Sequence, residues 1–570
     1  MRIVLNSVFI VWYLLSANTT LAYTHADTLR GSNGRGRAWW DVQLYDLHVA
    51  IDTSTETIRG TNEITLKVTG QPADSMQIDL QGQLVLQSAD VFDEINTLGD
   101  KPSPLPAKLT SDPAVMKGLQ ERRLEIVKEG NVWWLKGNFH KWKPGSIHKI
   151  RLQYDGTPRV AVNAPWDGGF TWSHDSLGRA WISVSCQGLG ASAWWPCKDA
   201  QWDEPDSGAA ISLTVPARMK AVSNGRLVAV DTTWKDVATW QWRVENPINN
   251  YDISFYLGDY VHWHDTLMGE KGKLDLDYWV LSYNETRAKK HFAHVKEMVH
   301  CFEYWLGPYP FYEDGYKLVE SPYLGMEHQS AVAYGNGYKM GYLGHDRTGT
   351  GIGLTFDYIT VHESAHEWFG NNITAKDIAD MWVQEGITTY SESLYAECIH
   401  GKEKGQKYCR GEWMNVQNDK PIIGRYGINE EGSGDMYDKG AAIMHMIRTM
   451  TGNDEKFRAM LRGLGRDFYH STVTTQEVEN YIAQKTSLEL GAFFNQYLRT
   501  TNIPELEYYI KENELFYKFN NTVPGFSLPL TLSGSGQTAI VKPAAEWQHI
   551  KWTGGYNVSV AKDYLVVVKN

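Results

Sequence analysis

Cysteine is scarce in this chain of 570 residues. There are five, none in the C-x-x-C spacing of a structural zinc site, and too few to define a disulfide scaffold. Cys398 and Cys409 are near enough in sequence to close a small loop, as are Cys186 and Cys197. Cys301 lies on a helical pattern with Phe292, Val295, Val299 and Phe302 and reads as a buried free thiol. Positive charge is also short: 55 Lys and Arg against 67 Asp and Glu leave a net charge of −12. That balance excludes a general nucleic-acid-binding surface and mildly favours substrates with a positive amino terminus. Beyond the N-terminus no stretch approaches the roughly 18 apolar residues of a membrane span. No repeat recurs at a period of about 20–50 residues. The Gly-rich stretch 340–357 lacks the Lys-Ser/Thr of a phosphate-binding loop and leads instead into the segment that follows.

What is present begins with an export signal. Arg2 supplies the charge, VFIVWYLL the short apolar region, and Thr20-Leu21-Ala22 a small-x-small site. Residues 1–22 are therefore expected to be removed, with the mature protein exported to a periplasm, a cell surface or the medium. Residues 23–37 read as a flexible leader. From Trp40 apolar residues alternate (Leu47, Val49, Ile51; Ile64, Leu66, Val68), which predicts an N-terminal antiparallel β domain over 38–260. Helical periodicity runs from about Asn284 to Arg499, predicting a mainly helical domain over 261–499. After Pro504 alternation returns, predicting a small β-sandwich over 500–570. A multidomain α+β protein follows, since a chain of this length exceeds one hydrophobic core. Its 23 Trp and 31 Tyr suit large cores and aromatic-lined clefts.

The chemistry concentrates in VHESAHEWFGNNITAKDIADMWVQEGITTYSE, residues 361–392. His362 and His366 are four apart, so a helix places both imidazoles on one face, where they can share a metal ion. Glu363 is turned aside by about 100° and points at a metal-bound water rather than joining the ligands. Glu385 follows in a second apolar segment. Two His and one carboxylate leave the fourth position of a tetrahedral zinc open, the arrangement of a catalytic site. Read alone, H-E-x-x-H also fits a solvated helix, but this one is embedded in aromatic and aliphatic sequence.

H-E-x-x-H, eighteen residues and Glu, in the form HESAHEWFGN…DMWVQEGITTYSE, resembles the gluzincin (M1-type) aminopeptidases, the family of aminopeptidase N and leukotriene A4 hydrolase. The resemblance covers roughly residues 40–570. It implies a thermolysin-like catalytic domain, one Zn2+ per chain held by His362, His366 and Glu385, and Glu363 as general base. Glu392 is implied to hold a ligating His through its other nitrogen. Tyr437, in Tyr437-Asp438-Lys439-Gly440, matches the Tyr that stabilises the tetrahedral intermediate. Gln187 and Glu327 match the residues that bind the substrate's free amino terminus, so the implied activity removes N-terminal residues from peptides. Without the resemblance, Gln187 reads equally as a loop cap, Tyr437 as packing, and Glu327 as a charge on an exposed or edge strand.

Gly325-Met326-Glu327 matches the family's Gly-x-Met-Glu-Asn motif only in part: Leu324 precedes it, and His328 stands in place of Asn. The family's large C-terminal helical domain has no counterpart before Asn570. The cleft is then less enclosed, unless a partner subunit of a homo-oligomer covers it. The basic residues for epoxide hydrolysis belong to that domain, which discounts that activity. A zinc endopeptidase and a catalytically silent cell-surface binding protein are the alternatives.

Overall fold

The computed structural model describes residues 23–92 and 121–569; the signal segment read at 1–22 lies outside them. A β-rich N-terminal region is followed by a helical region and then by further strands. Strands β1 (Trp40–Asp52) and β2 (Thr57–Val68) pair antiparallel at the centre of an eight-stranded sheet. The alternation read in the sequence is the pleat: Leu47, Val49, Ile51, Ile64, Leu66 and Val68 all face the core. One ladder departs from the antiparallel expectation. β1 pairs in parallel with Ala209–Pro216, with Tyr45 opposite Ala209. Strands so far apart in sequence are joined by a long crossover, which leaves their relative direction free.

The stretch 23–37, expected to be a flexible leader, is ordered. Residues His25–Gly31 form a short helix, α1, closed by a capping box between Thr24 and Asp27. Composition pointed to disorder, but long-range polar contacts override it. Arg30 donates from Nη1 to the Asp199 carbonyl at 2.5 Å and from Nη2 to that of Leu189 at 3.3 Å. Arg37, fully buried, donates to Asp79 Oδ2 at 2.5 Å.

Helices run from Glu285 to Arg499. Those that matter for the site are α2 (Val295–Leu306), α3 (Tyr358–Ala365), α4 (Trp382–His400) and α5 (Asp438–Thr451). α2 and α3 pack against a five-stranded sheet whose last member is the two-residue strand Gly325–Met326, paired with Val332–Tyr334, while α4 packs on α2, α3 and α5. This is an edge in topology but not an exposed one: Met326, Glu327, His328 and Val332 through Tyr334 are all buried. The apolar–polar alternation there marks polar groups with buried partners, not a wet face.

The cysteines correct both sequence readings. Cys301 of α2 is bonded to Cys398 at the end of α4, while Cys186, Cys197 and Cys409 are buried free thiols. Closeness in sequence misled; what decides is a Cα–Cα separation of 6.2 Å between helices 97 residues apart. Beyond Arg499, strands form a four-stranded and a three-stranded sheet whose buried residues continue the core of the helices. Among the described residues no helix is long and apolar enough to cross a membrane.

Candidate active site

Asp357 caps α3, accepting the Thr360 amide at 3.0 Å. One turn on come His362 and Glu363, and His366 closes the helix. The chain then kinks at Phe369 and Gly370, turning the Phe369 carbonyl back onto His366 Nδ1 at 2.9 Å. His362 Nδ1 meets Glu392 Oε1 at 2.7 Å, and Tyr408 donates to the other oxygen of Glu392 at 2.7 Å. Both partners of the imidazoles are acceptors, so each Nδ1 carries the proton and each Nε2 presents a lone pair.

Those two lone pairs face Glu385 of α4. The Nε2 atoms of His362 and His366 are 3.3 Å apart, and Glu385 Oε2 lies 3.2 Å from His366 and 3.7 Å from His362. Tetrahedral zinc with bonds of about 2.0–2.1 Å separates its ligands by roughly 3.3–3.4 Å. Glu385 Oε2 is buried and makes no hydrogen bond. The residues therefore fit a Zn2+ ion, and this is the one His/Cys/Asp/Glu cluster of that kind among the described residues. Burial works against ionising Glu385, but His366 and His362 outweigh it and hold its carboxyl well below the usual range.

Glu363, on the same helix, is buried beside this cluster, and burial pushes its carboxyl up to about 7 against the pull of His362. Gly325 is what lets the edge strand approach it. A Cβ there would fall 2.6 Å from Glu363 Oε1 and 2.7 Å from Ile359. Glu327, two residues on, accepts hydrogen bonds at Oε1 from Gln187 Nε2 at 2.6 Å and Tyr251 at 3.0 Å. Gln187 also donates to Glu385 Oε1 at 2.8 Å. Burial and the charge of Glu385 push the Glu327 carboxyl up. Tyr437 precedes the first residue of α5, with its ring centroid 6.0 Å from that of His362. Burial, Glu385 and Glu327 raise its phenol well above the ordinary value, so it stays a neutral donor.

All eight residues read from the sequence thus converge on one site. Others were not singled out from the sequence. Tyr251 and Gln384 form a chain behind Glu327, Gln384 donating to Tyr251 at 3.1 Å. Tyr358 stacks on His362 with centroids 5.4 Å apart, and Arg347 donates to its hydroxyl at 2.5 Å and pairs with Asp438 at 3.2 Å. Tyr358 alone was findable, four residues before His362 on the same helix face.

Residues 293–497 match the model of the peptidase family M1 domain. Leukotriene A-4 hydrolase of Xenopus laevis is 22% identical over 343 residues, covering 56% of this chain and 53% of that protein. Endoplasmic reticulum aminopeptidase 1 of Mus musculus is 20% identical over 468 residues, covering 78% and 47%. The chain thus spans about half the length of these curated relatives. A crystal structure of an M1 zinc metallopeptidase from Deinococcus radiodurans, a mutant bound to a Tyr-Ser-Ala substrate, shares the fold with a TM-score of 0.65 at 19% identity. The match covers 82% of this chain and 96% of that one.

Proposed function

Starting from a chain that carries a peptidase family M1 domain over residues 293–497, we propose a zinc-dependent aminopeptidase that removes N-terminal residues from peptides. One observation carries the reading. The carboxylate suited to an α-ammonium, Glu327, is linked to the metal ligand Glu385 through the single amide of Gln187. An amine held at Glu327 is two bonds from the first carbonyl carbon, so only the first peptide bond reaches the metal position. An endopeptidase would leave that end of the cleft open.

Zn2+ bound by His362, His366 and Glu385 supplies Lewis acidity, lowering the pKa of a water toward neutrality and polarising the scissile carbonyl. Glu363 takes the proton of the attacking water and hands it to the departing amine; burial keeps its carboxyl suited to both tasks near neutral pH. Tyr437 donates to the developing oxyanion. Glu392 holds His362 in the tautomer that offers Nε2. Glu327 and Gln187 fix the substrate's amine. In this reading the helical region is thermolysin-like and the two C-terminal sheets form a small β-sandwich. The Cys301–Cys398 disulfide agrees with export to an oxidising compartment.

Metal analysis beside a panel of aminoacyl-anilides, free and N-blocked, tests the proposal. One zinc per chain and cleavage of free substrates alone are expected. Faster cleavage of blocked peptides, or no zinc and no hydrolysis, would overturn it.

A further inference from the structure

Gln187 is attached to the β-rich region, not to the helices that carry the metal ligands. It follows the strand Ala180–Ser185 in a tight loop, closed by the Leu189 amide on the Gln187 carbonyl and the Gly190 amide on that of Cys186, both at 2.7 Å. Arg30 of α1 fastens the same loop at the Leu189 carbonyl. From there the carboxamide reaches across to Glu327 Oε1 at 2.6 Å and Glu385 Oε1 at 2.8 Å. Both targets are carboxylate oxygens, which only accept, so the group facing them is the NH2, with one hydrogen for each.

The two oxygens of Glu385 are thereby made unequal. Oε1 is held by Gln187, while Oε2 has no hydrogen bond and sits 3.2 Å and 3.7 Å from the two imidazole nitrogens. A carboxylate released from such a bond is free to rotate and ligate through both oxygens. That would raise the coordination number and crowd the position a water needs.

We infer that Gln187 is a positioning residue for the metal: its amide pins Oε1 of Glu385, keeps that ligand monodentate, and ties metal affinity to a loop of the β-rich region. This deepens the proposed function and rests on its zinc site, adding to the contact with the substrate amine a role that exists before any substrate arrives. A Glu at this position, ionised, has no hydrogen to give either carboxylate. The amide does what a charged residue of the same shape does not.

The test uses the full chain and the metal alone. Gln187→Met keeps the volume and removes the donor; Gln187→Asn keeps the amide but withdraws it by one methylene. Zn2+ affinity, measured by competition with a chromophoric chelator, should fall about 10- to 100-fold in both, the usual cost of losing an outer hydrogen bond to a ligand. Loaded with Co2+, wild type should show the intense visible bands of a four-coordinate ion, and both variants weaker bands from a higher coordination number. A merely structural role of the loop would not move that spectrum in a folded variant. Zn2+ affinities within twofold of wild type with superimposable Co2+ spectra would overturn the inference. Hydrolysis plays no part in either readout. A wild type that takes zinc and cleaves nothing would unseat the aminopeptidase reading alone, and one that takes no metal would sink both.

Discussion

Gly386 and Gly440 touch backbone to backbone where α4 crosses α5. A Cβ on Gly440 would lie 2.6 Å from the Gly386 Cα, and one on Gly386 would lie 2.9 Å from both the Gly440 Cα and the Met436 carbonyl. Gly386 adjoins Glu385 and Gly440 follows Tyr437 within one turn, so this contact sets the spacing between the residues proposed as metal ligand and oxyanion donor.

Gly440→Ala is expected to destabilise the fold and depress turnover together. Alanine gains about 1 kcal/mol of helix propensity over glycine, but overpacking a closed contact costs about 1–3 kcal/mol. The neighbour here is backbone and has no side chain to swing away. Thermal unfolding and kcat measured side by side check it; an unchanged Tm with normal turnover would refute the close contact.

Glu363→Gln should keep its zinc and lose about 100- to 10,000-fold in turnover, the range for removing a general base. Metal content and single-turnover rates decide, and wild-type-like activity would sink the scheme.

Tyr437→Phe should lower kcat by about 100- to 1,000-fold, as for other lost oxyanion donors, with KM close to wild type because the bond forms only in the transition state. A rise in KM with kcat intact would mean that the phenol binds ground-state substrate instead.

Removing the bridge between α2 and α4 with Cys301→Ser and Cys398→Ser should cost about 2–5 kcal/mol of stability. The loop it closes spans 97 residues and includes His362, His366 and Glu385, the proposed metal ligands. Denaturant titration of the double variant measures this, and apparent zinc affinity should fall with it.

His328 makes the fold sensitive to acid. Tyr256 gives its hydrogen to the Ala331 carbonyl at 2.7 Å, so it accepts from His328 Nδ1 at 2.6 Å; Nε2 then carries the lone pair and has no partner in its buried site. Burial pushes the imidazole down to about 3. Between that value and an unfolded value near 6.5 the unfolded chain holds a proton that the folded one does not. Stability from this group is complete above about pH 6.5 and is lost as pH falls, with a slope approaching about 1.4 kcal/mol per unit. His328→Asn should flatten the difference between urea midpoints at pH 7 and pH 4.5; identical pH dependence in both proteins would refute it.

The site was legible where chemistry follows local spacing. His362 and His366 sit one helical turn apart, and their nearness to each other follows from α-helix geometry alone. Glu385 needed only the next helix. What the sequence concealed depends on distant segments meeting. The hydrogen bond from Gln187 to Glu385 joins residues 198 apart, and the Tyr251–Glu327 bond joins residues 76 apart. The same reason defeated the cysteine pairing, where the bonded partners, Cys301 and Cys398, lie 97 residues apart in sequence. The leader was misread because its Gly-rich composition says nothing of Arg30 and Arg37, whose partners lie far along the chain.

The parallel ladder between Trp40–Asp52 and Ala209–Pro216 has a kinetic consequence. The first strand among the described residues cannot complete its pairing until Ala209 has been synthesised. High contact order of this kind slows folding and keeps a sheet edge open meanwhile. The loop bearing Gln187 lies inside that interval, so the residue that bonds Glu385 is carried on the same long crossover that the ladder must close.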